Sequence, residues 1–234
     1  METIKLFFRL FKPRSIKFIL VFTKNILYFG NYWPVYIRYL DSCSLGYVEN
    51  PKVACTSVKS VLKQKANMRS SFTITSRTTE YYFFTVVRNP FSRLVSCYKN
   101  KILRGEWIYN RYLLGSLRYG LRQGMSFEDF VRKVAIIPDK YSDIHFRSQA
   151  CIIKKINDYG TCKVLMLENI NSEFGEISCK FGLGDLPNKN ISHNQEEWVD
   201  YFTPELIDIV YNRYKKDFEL WYPSAQLELI NKIK

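Results

Sequence analysis

Arg88 ends an apolar run rich in β-forming residues, and Pro90 soon after it is typical of a helix start. A strand that ends on an arginine and turns into a helix can hold an anion. The guanidinium offers a planar fork of donors, and the helix terminus offers backbone N–H groups. Ser96, eight residues after Arg88, adds a hydroxyl group from the first turns of that helix. These residues predict an anion site; the alternative is an arginine with a structural role at a strand end.

A second passage of the same kind lies upstream, in residues 50–62. It reads as a strand end, a loop and a helix start. Lys52 lies at the beginning of the loop, and the hydroxyl groups of Thr56 and Ser57 lie at the start of the helix. The alternatives are a surface lysine and two ordinary helix caps. Two anion sites at the ends of two strands together indicate one ligand with two separated phosphate groups.

At these two passages the sequence resembles the carbohydrate sulfotransferase family, the Golgi-type enzymes and their bacterial relatives. The family's 5′-phosphosulfate loop has the pattern Pro-Lys-Val-Gly-Cys-Thr-x-Trp-Lys, which residues 51–59 match except at Ala54 and Val58. Its 3′-phosphate segment has the pattern Val-Arg-Asp/Glu-Pro-Phe-x-Arg-Leu-Val-Ser-x-Tyr, which residues 87–98 match except at Asn89.

Two further segments carry the same resemblance. Residues 143–149 are similar to the family's His-Trp-x-x-Gln stretch, with His145 in place and Phe146 for the tryptophan. Residues 201–218 resemble the closing helix, which opens with Thr-Pro-Glu-Leu and closes with Tyr-x-x-Asp-Phe. The four segments follow one another in the family's order, within residues 45–222.

The resemblance implies a sulfotransferase that moves a sulfuryl group from 3′-phosphoadenosine 5′-phosphosulfate (PAPS) to a carbohydrate hydroxyl group, in line and without a metal ion. Arg88 and Ser96 would hold the 3′-phosphate, and Lys52 would also stabilise the oxygen of the leaving phosphate. The residues implied to bind the 5′-phosphosulfate are Lys52, Val53, Ala54, Cys55, Thr56 and Ser57.

The acceptor hydroxyl group needs a general base, and the chain has two histidines. We favour His145, because its segment resembles the family's His-Trp stretch; alternatively, it packs beside Phe146 and supports the wall of the acceptor cleft. His193 lies in a polar loop before the last family segment, and Glu80 and Glu168 are carboxylate alternatives.

Three further charged residues bear on this chemistry. Asp139 and Asp143 precede His145 in a predicted loop, where a carboxylate would hold the imidazole in one tautomer. Arg93, one turn into the helix after Arg88, either adds positive charge or pairs with an acid.

Strands that alternate with helices predict an α/β fold with a parallel sheet, helices on both faces and ligands at the carboxyl ends of the strands. The resemblance implies a three-layer α/β/α sandwich with a mainly parallel sheet, similar to P-loop NTPases. We expect one sulfotransferase domain, residues 45–234, and a helical segment, residues 1–44, that packs on it or flanks it. The predicted strands are residues 44–49, 73–76, 81–87 and 163–167. The predicted helices are residues 55–66, 90–103, 108–124 and 168–181, and two further helices are predicted to begin after Ser126 and after Thr203.

The chain has 234 residues and a formal net charge of +13. A basic surface suits an anionic donor or acceptor, an anionic membrane, or solvent alone, and no nucleic-acid-binding motif appears. Acceptor specificity in the family resides in variable segments, which here are residues 104–125 and 182–200. The implied acceptor is a polysaccharide or an oligosaccharide.

Residues 16–29 are apolar, but two lysines and an asparagine interrupt them. They fall short of the roughly 20 apolar residues that span a bilayer. The segment would form an amphipathic helix on an anionic membrane surface or a helix that caps the domain. We therefore expect a cytoplasmic enzyme, with peripheral contact to the inner face of the membrane as one option.

The six cysteines show no metal-binding spacing, and we expect all of them to be reduced. Golgi members of the family carry disulfides, so a pair between Cys151 and Cys162 in an oxidising compartment is the alternative.

Two other function classes stay open. A P-loop kinase or nucleotidase would carry Gly-x-x-x-x-Gly-Lys-Ser/Thr, which the chain lacks. A basic protein that binds polyanions or membranes without catalysis would need neither Lys52 nor the spacing of Arg88 and Ser96.

Overall fold

The computed structural model of the chain describes residues 35–65, 67–72, 74–104, 119–157, 162–187 and 198–233. The strands in this part are β1 (Ile37–Leu40), β2 (Leu45–Val48), β3 (Met68–Ser71), β4 (Tyr82–Val87) and β5 (Cys162–Met166). They form one sheet in the order β3-β1-β2-β4-β5. The helices are α1 (Cys55–Leu62), α2 (Pro90–Cys97), α3 (Phe127–Ala135), α4 (Gln149–Asn157), α5 (Ile170–Phe181), α6 (Pro204–Arg213), α7 (Lys215–Trp221) and α8 (Ala225–Ile233).

The sheet is parallel on one side and antiparallel on the other. β4 lies parallel to both β2 and β5, whereas β1 pairs antiparallel with both β2 and β3. The expectation of a mainly parallel sheet is confirmed in part: β2, β3, β4 and β5 run in the same direction, and the exception is the antiparallel pairing of β1. It arises because the chain reverses between β1 and β2 in a single 3-10 turn, Asp41–Cys43, with Ser44 in the left-handed conformation at φ 50°.

Helices cover both faces of the sheet. Successive side chains of β4 point to opposite faces, so Phe83 and Val87 join one hydrophobic cluster while Phe84 and Val86 join the other. The first cluster packs the sheet against α2, α3, α4, α6, α7 and α8. The second packs it against α1 and α5. The two clusters confirm the predicted α/β/α sandwich.

Two strands differ from the sequence prediction. β1 lies inside the segment 1–44, for which the sequence predicts helices. The short strand predicted at residues 73–76 is wrong, because the segment that pairs with β1 is Met68–Ser71, and a 3-10 turn follows at Ser76–Thr78. As an edge strand, β3 is largely solvated and lacks the apolar pattern that marks a buried strand. The helices predicted before residue 35 lie outside the described residues, as does most of the helix predicted at residues 108–124. The last part of that prediction is wrong, because residues 119–124 form turns, with left-handed backbones at Gly120 and Gly124.

The remaining boundaries are close to those predicted. The helix after Pro90 runs as α2 and continues as a π-helix, Tyr98–Leu103. Each helix in the described ranges falls short of the length and apolar character that crossing a membrane requires. All six cysteines are reduced, as expected. The division of the chain near residue 45 stays a prediction.

Candidate active site

The loop between β2 and α1 presents the amino terminus of a helix without a side-chain cap. Lys52 and Ala54 both have left-handed backbones, with φ angles of 73° and 61°, and Val53 between them is buried. Ala54 occupies the N-cap position of α1, and no side chain there bonds the first turn. The N–H groups of that turn can therefore receive an anion.

Cys55 holds this loop in place through hydrogen bonds. Its thiol donates to the carbonyl oxygen of Asn50 at 2.7 Å and lies 3.2 Å from the hydroxyl group of Tyr47. Burial raises the pKa of Cys55, so the thiol stays protonated at neutral pH. Cys55 therefore shapes the loop and is not a nucleophile.

Arg88 connects the end of β4 to the same loop. Its Nη1 donates to the carbonyl oxygen of Lys52 at 3.4 Å, and its Nε donates to the hydroxyl oxygen of Ser92 at 2.9 Å. Burial lowers the pKa of Arg88, but a guanidinium remains charged at neutral pH. The two anion passages predicted from the sequence thus meet, because β2 and β4 are parallel neighbours whose carboxyl ends share one edge of the sheet.

The serine that contacts Arg88 is Ser92, which the sequence analysis missed. Ser96 lies one turn further along α2, on the same face and half-buried, as expected for residues four apart in a helix. The same spacing of four separates Arg88 from Ser92 and could have signalled the contact.

A pair of buried amides, also missed, holds the two passages together. Asn50 Nδ2 donates to Gln149 Oε1 at 2.8 Å and to the carbonyl oxygen of Val86 at 2.9 Å. Gln149 Oε1 accepts from the Arg88 backbone N–H at 3.0 Å, and Gln149 Nε2 donates to the Arg88 carbonyl oxygen at 2.8 Å. The segment that carries His145 is therefore tied to the ends of β2 and β4.

His145 lies beside a buried carboxylate. Its Nδ1 is 2.6 Å from Asp143 Oδ1, and the same oxygen accepts from the His145 backbone N–H at 2.8 Å. Burial alone would raise the pKa of Asp143, but His145 and Arg147 hold it below its ordinary value. An ionised Asp143 can accept a hydrogen bond from Nδ1–H, and in that tautomer of the neutral imidazole Nε2 is the acceptor. Phe146 is buried, whereas about a quarter of the His145 side chain, 24%, is exposed.

A model of the sulfotransferase family matches residues 14–223. The chain belongs to the sulfotransferase family. The match includes both anion passages and the His145 segment, and the mixed sheet with helices on both faces agrees with a sulfotransferase fold. No curated protein and no solved structure matches the chain.

In this sulfotransferase, the charge of Lys52 acts on the Cys97 thiol at the end of α2. Burial raises the pKa of the Cys97 thiol to about 12, and the positive charge of Lys52 opposes that rise.

Among the described residues, Arg93 forms no ion pair with an acid, and it adds no exposed charge. Its guanidinium is buried and donates to backbone and amide oxygens on both sides of the site.

The carboxylate alternatives for the base lie in different places. Glu80 precedes the amino end of β4, and the six residues of the strand place it roughly 20 Å from Arg88. Glu80 is therefore too far from this site to act as its base. Glu168 follows β5, where its two oxygens accept from the Asn89 backbone N–H at 3.1 Å and from the Tyr222 hydroxyl group at 2.8 Å. His193 lies outside the described residues.

Within the described ranges, no group of histidine, cysteine and acidic side chains could hold a metal ion.

Proposed function

We propose that this sulfotransferase uses PAPS as the donor and transfers the sulfuryl group to a hydroxyl group of a carbohydrate. The observation that supports this best is the contact between Arg88 and the Lys52 backbone, which turns two anion passages into one site. PAPS carries one phosphate on each side of its ribose, so it needs two cationic regions that are close but separate.

The chain's residues fit such a donor. The uncapped start of α1 and Lys52 can bind the 5′-phosphosulfate, because both are positively polarised and lie on the same loop. The Arg88 guanidinium is largely desolvated, and its hydrogen-bond partners among the described residues, Ser92 and the Lys52 carbonyl group, are neutral. The Glu168 carboxylate acts on the Arg88 charge, but its two oxygens are bonded to the Asn89 backbone N–H and the Tyr222 hydroxyl group. A charged group in this state favours an anion, which we propose is the 3′-phosphate, with Ser96 as a further donor.

Transfer itself would depend on positioning and charge stabilisation. The acceptor oxygen forms a bond to sulfur as the bond from sulfur to the 5′-phosphate oxygen breaks, and negative charge develops on that phosphate. Lys52 would stabilise this charge. His145 Nε2 would take the proton of the acceptor hydroxyl group while Asp143 holds Nδ1–H.

A carbohydrate acceptor is supported by the resemblance to carbohydrate sulfotransferases and by the net charge of +13, which suits an anionic glycan. Family membership favours sulfuryl transfer over a kinase reaction. It equally favours sulfuryl transfer over a basic protein without catalysis, since the match includes Lys52, Arg88 and His145.

The test is incubation of the purified chain with ³⁵S-labelled PAPS and a panel of neutral, amino-sugar and uronic-acid oligosaccharides, in the presence of EDTA. We expect label in at least one oligosaccharide, and far less with Lys52→Ala. Intact PAPS and unlabelled oligosaccharides across the panel would contradict the proposal.

A further inference from the structure

Arg93 contacts the loop that carries Lys52. The side chain of Arg93 is 2% exposed and projects from α2. Its Nε donates to the carbonyl oxygen of Pro51 at 3.2 Å, and its Nη2 donates to Asn50 Oδ1 at 3.1 Å. One side of the guanidinium therefore holds the two residues that precede Lys52.

The other side of the same guanidinium contacts the segment that carries His145. Arg93 Nη1 donates to the carbonyl oxygen of Arg147 at 2.7 Å, and Nη2 donates to that of Ile144 at 3.1 Å. Ile144 and Arg147 flank His145 in the sequence, so the segment is held on both sides of the imidazole. A single planar group thus bridges the Lys52 loop and the His145 segment.

We infer that Arg93 is a positioning residue for sulfuryl transfer, which sets where His145 lies relative to Lys52; this inference rests on the proposed function. In-line transfer needs the base and the cation at the leaving oxygen to be aligned on one axis, and a displacement of about 1 Å can cost about 10²-fold in rate. A lysine would keep the charge of Arg93 but could not reproduce four contacts, because an ammonium group is a point donor and a guanidinium is a fixed fork.

The contacts of Arg93 are not the ones that stability alone would favour. All four acceptors named above are neutral oxygens, so the desolvated charge gains no direct ion pair from them. The Asp217 carboxylate interacts with the Arg93 charge, but it is bonded to the Gln149 and Ala150 backbone N–H groups at 2.8 Å each. A hydrophobic side chain of similar volume would fill the same space without burying a charge.

Arg213 supplies a matched control. It is also a nearly buried arginine, and its Nη2 donates to Asp139 Oδ1 at 2.6 Å and to Ser142 Oγ at 3.1 Å. These contacts fasten the same stretch of chain, before His145, without touching the Lys52 loop. Arg213→Lys should therefore lower the thermal midpoint and leave turnover within about threefold of the parent.

The test is a double-mutant cycle, with turnover of ³⁵S-labelled PAPS counted as labelled oligosaccharide plus free sulfate. We expect Arg93→Lys to lower turnover by about 10²-fold in the parent while the dissociation constant of 3′-phosphoadenosine 5′-phosphate (PAP) changes by less than about fivefold. In the His145→Ala background the same change should cost less than about threefold, because there is no base left to position.

Three results would overturn the inference: unchanged turnover in Arg93→Lys, an equal loss in both backgrounds, or an equal loss in Arg213→Lys. A parent chain that binds PAP no better than 5′-AMP and turns over no PAPS would instead overturn the proposed function, and this inference with it. If Arg93→Lys does not fold, as judged by circular dichroism, Arg93→Gln takes its place in the cycle with the same expectations.

Discussion

Arg88 Nη1 donates to the carbonyl oxygen of Lys52 at 3.4 Å, which joins the end of β4 to the loop after β2. The guanidinium proposed to hold the 3′-phosphate is thus attached to the backbone of the residue proposed to meet the leaving phosphate. The two phosphates of PAPS are separated by a single ribose, so the groups that bind them must keep a fixed distance. This contact provides that distance.

Removal of the Arg88 side chain should abolish most of the preference for a 3′-phosphate. Arg88→Met leaves that phosphate without its cation in a partly desolvated site, which costs about 2–5 kcal/mol, or roughly 30-fold to 4 × 10³-fold in the PAP dissociation constant. Affinity for 5′-AMP should stay nearly constant. Calorimetric titration measures both, with the exposed Arg122→Met as a control. A parallel loss for both nucleotides would mean that Arg88 supports the fold and not the 3′-phosphate.

Lys52 should matter more for the rate than for binding. The positive charge of Lys52 stabilises the negative charge that develops only as the phosphate leaves, so Lys52→Ala should lower kcat by about 10²-fold or more. PAP affinity should fall much less. The control is Lys63→Ala, at the other end of α1, which should behave as the parent. Transfer at the parental rate by Lys52→Ala would refute the role at the leaving group.

His145→Ala should lower kcat by about 10²–10⁴-fold and leave the PAP dissociation constant nearly unchanged. A general base must be unprotonated to accept the proton, so His145→Ala should also change the shape of the pH profile of kcat. Asp143→Asn should also lower kcat, since the amide no longer holds Nδ1–H as an ionised acceptor does. If the pH profile of His145→Ala keeps the parental shape, the base is another residue.

Asp143 should also contribute to stability in acid. Burial acts to raise its pKa, but His145 and Arg147 hold that pKa below its ordinary value. A carboxyl group of this kind stabilises the fold above its unfolded pKa of about 3.9, and the stabilisation is lost as the pH falls through the lowered folded value. Between pH 5 and pH 3, roughly, the parent should lose more free energy of unfolding than Asp143→Asn. Urea titrations at the two pH values check this; equal losses would contradict it.

Sequence reasoning located both anion passages because each is a local pattern. A β-rich run, a cation and a helix start lie within a few residues of one another, and their geometry follows from that order alone. To predict that Arg88 and Lys52 lie close together, one further inference is needed, namely that the carboxyl ends of parallel strands share an edge of the sheet. The parallel pairing of β2 and β4 satisfies it.

The contacts that hold these passages in place could not be predicted in this way. Asn50 and Gln149 are 99 residues apart in sequence, and nothing near either residue indicates the other. β1 and β3 were missed for a related reason. Both strands depend on pairing, since β1 pairs with β2 and with β3. The residues of β3 are too polar for their own pattern to predict a strand.

Ala54 stands where the family pattern has glycine. Its backbone conformation explains why glycine suits this position. A φ of 61° is left-handed, a conformation that costs a non-glycine residue about 1–2 kcal/mol. Ala54→Gly should therefore increase the free energy of unfolding by up to about 1 kcal/mol. Ala135→Gly, in the last turn of the right-handed helix α3, should decrease it by about the same amount. Urea denaturation compares the two, and a loss of stability in Ala54→Gly would show that the loop carries no strain at this position.

The central claim is that one site holds two phosphates, and calorimetric titration of the unmodified chain with PAP and with 5′-AMP, both in EDTA, tests it most directly. The two ligands share the adenosine and the 5′-phosphate, and differ in the 3′-phosphate that Arg88 is proposed to hold. We predict that PAP binds at least about 30-fold more tightly, the lower end of the effect expected for a buried charge pair. Equal affinity for the two nucleotides would contradict the account.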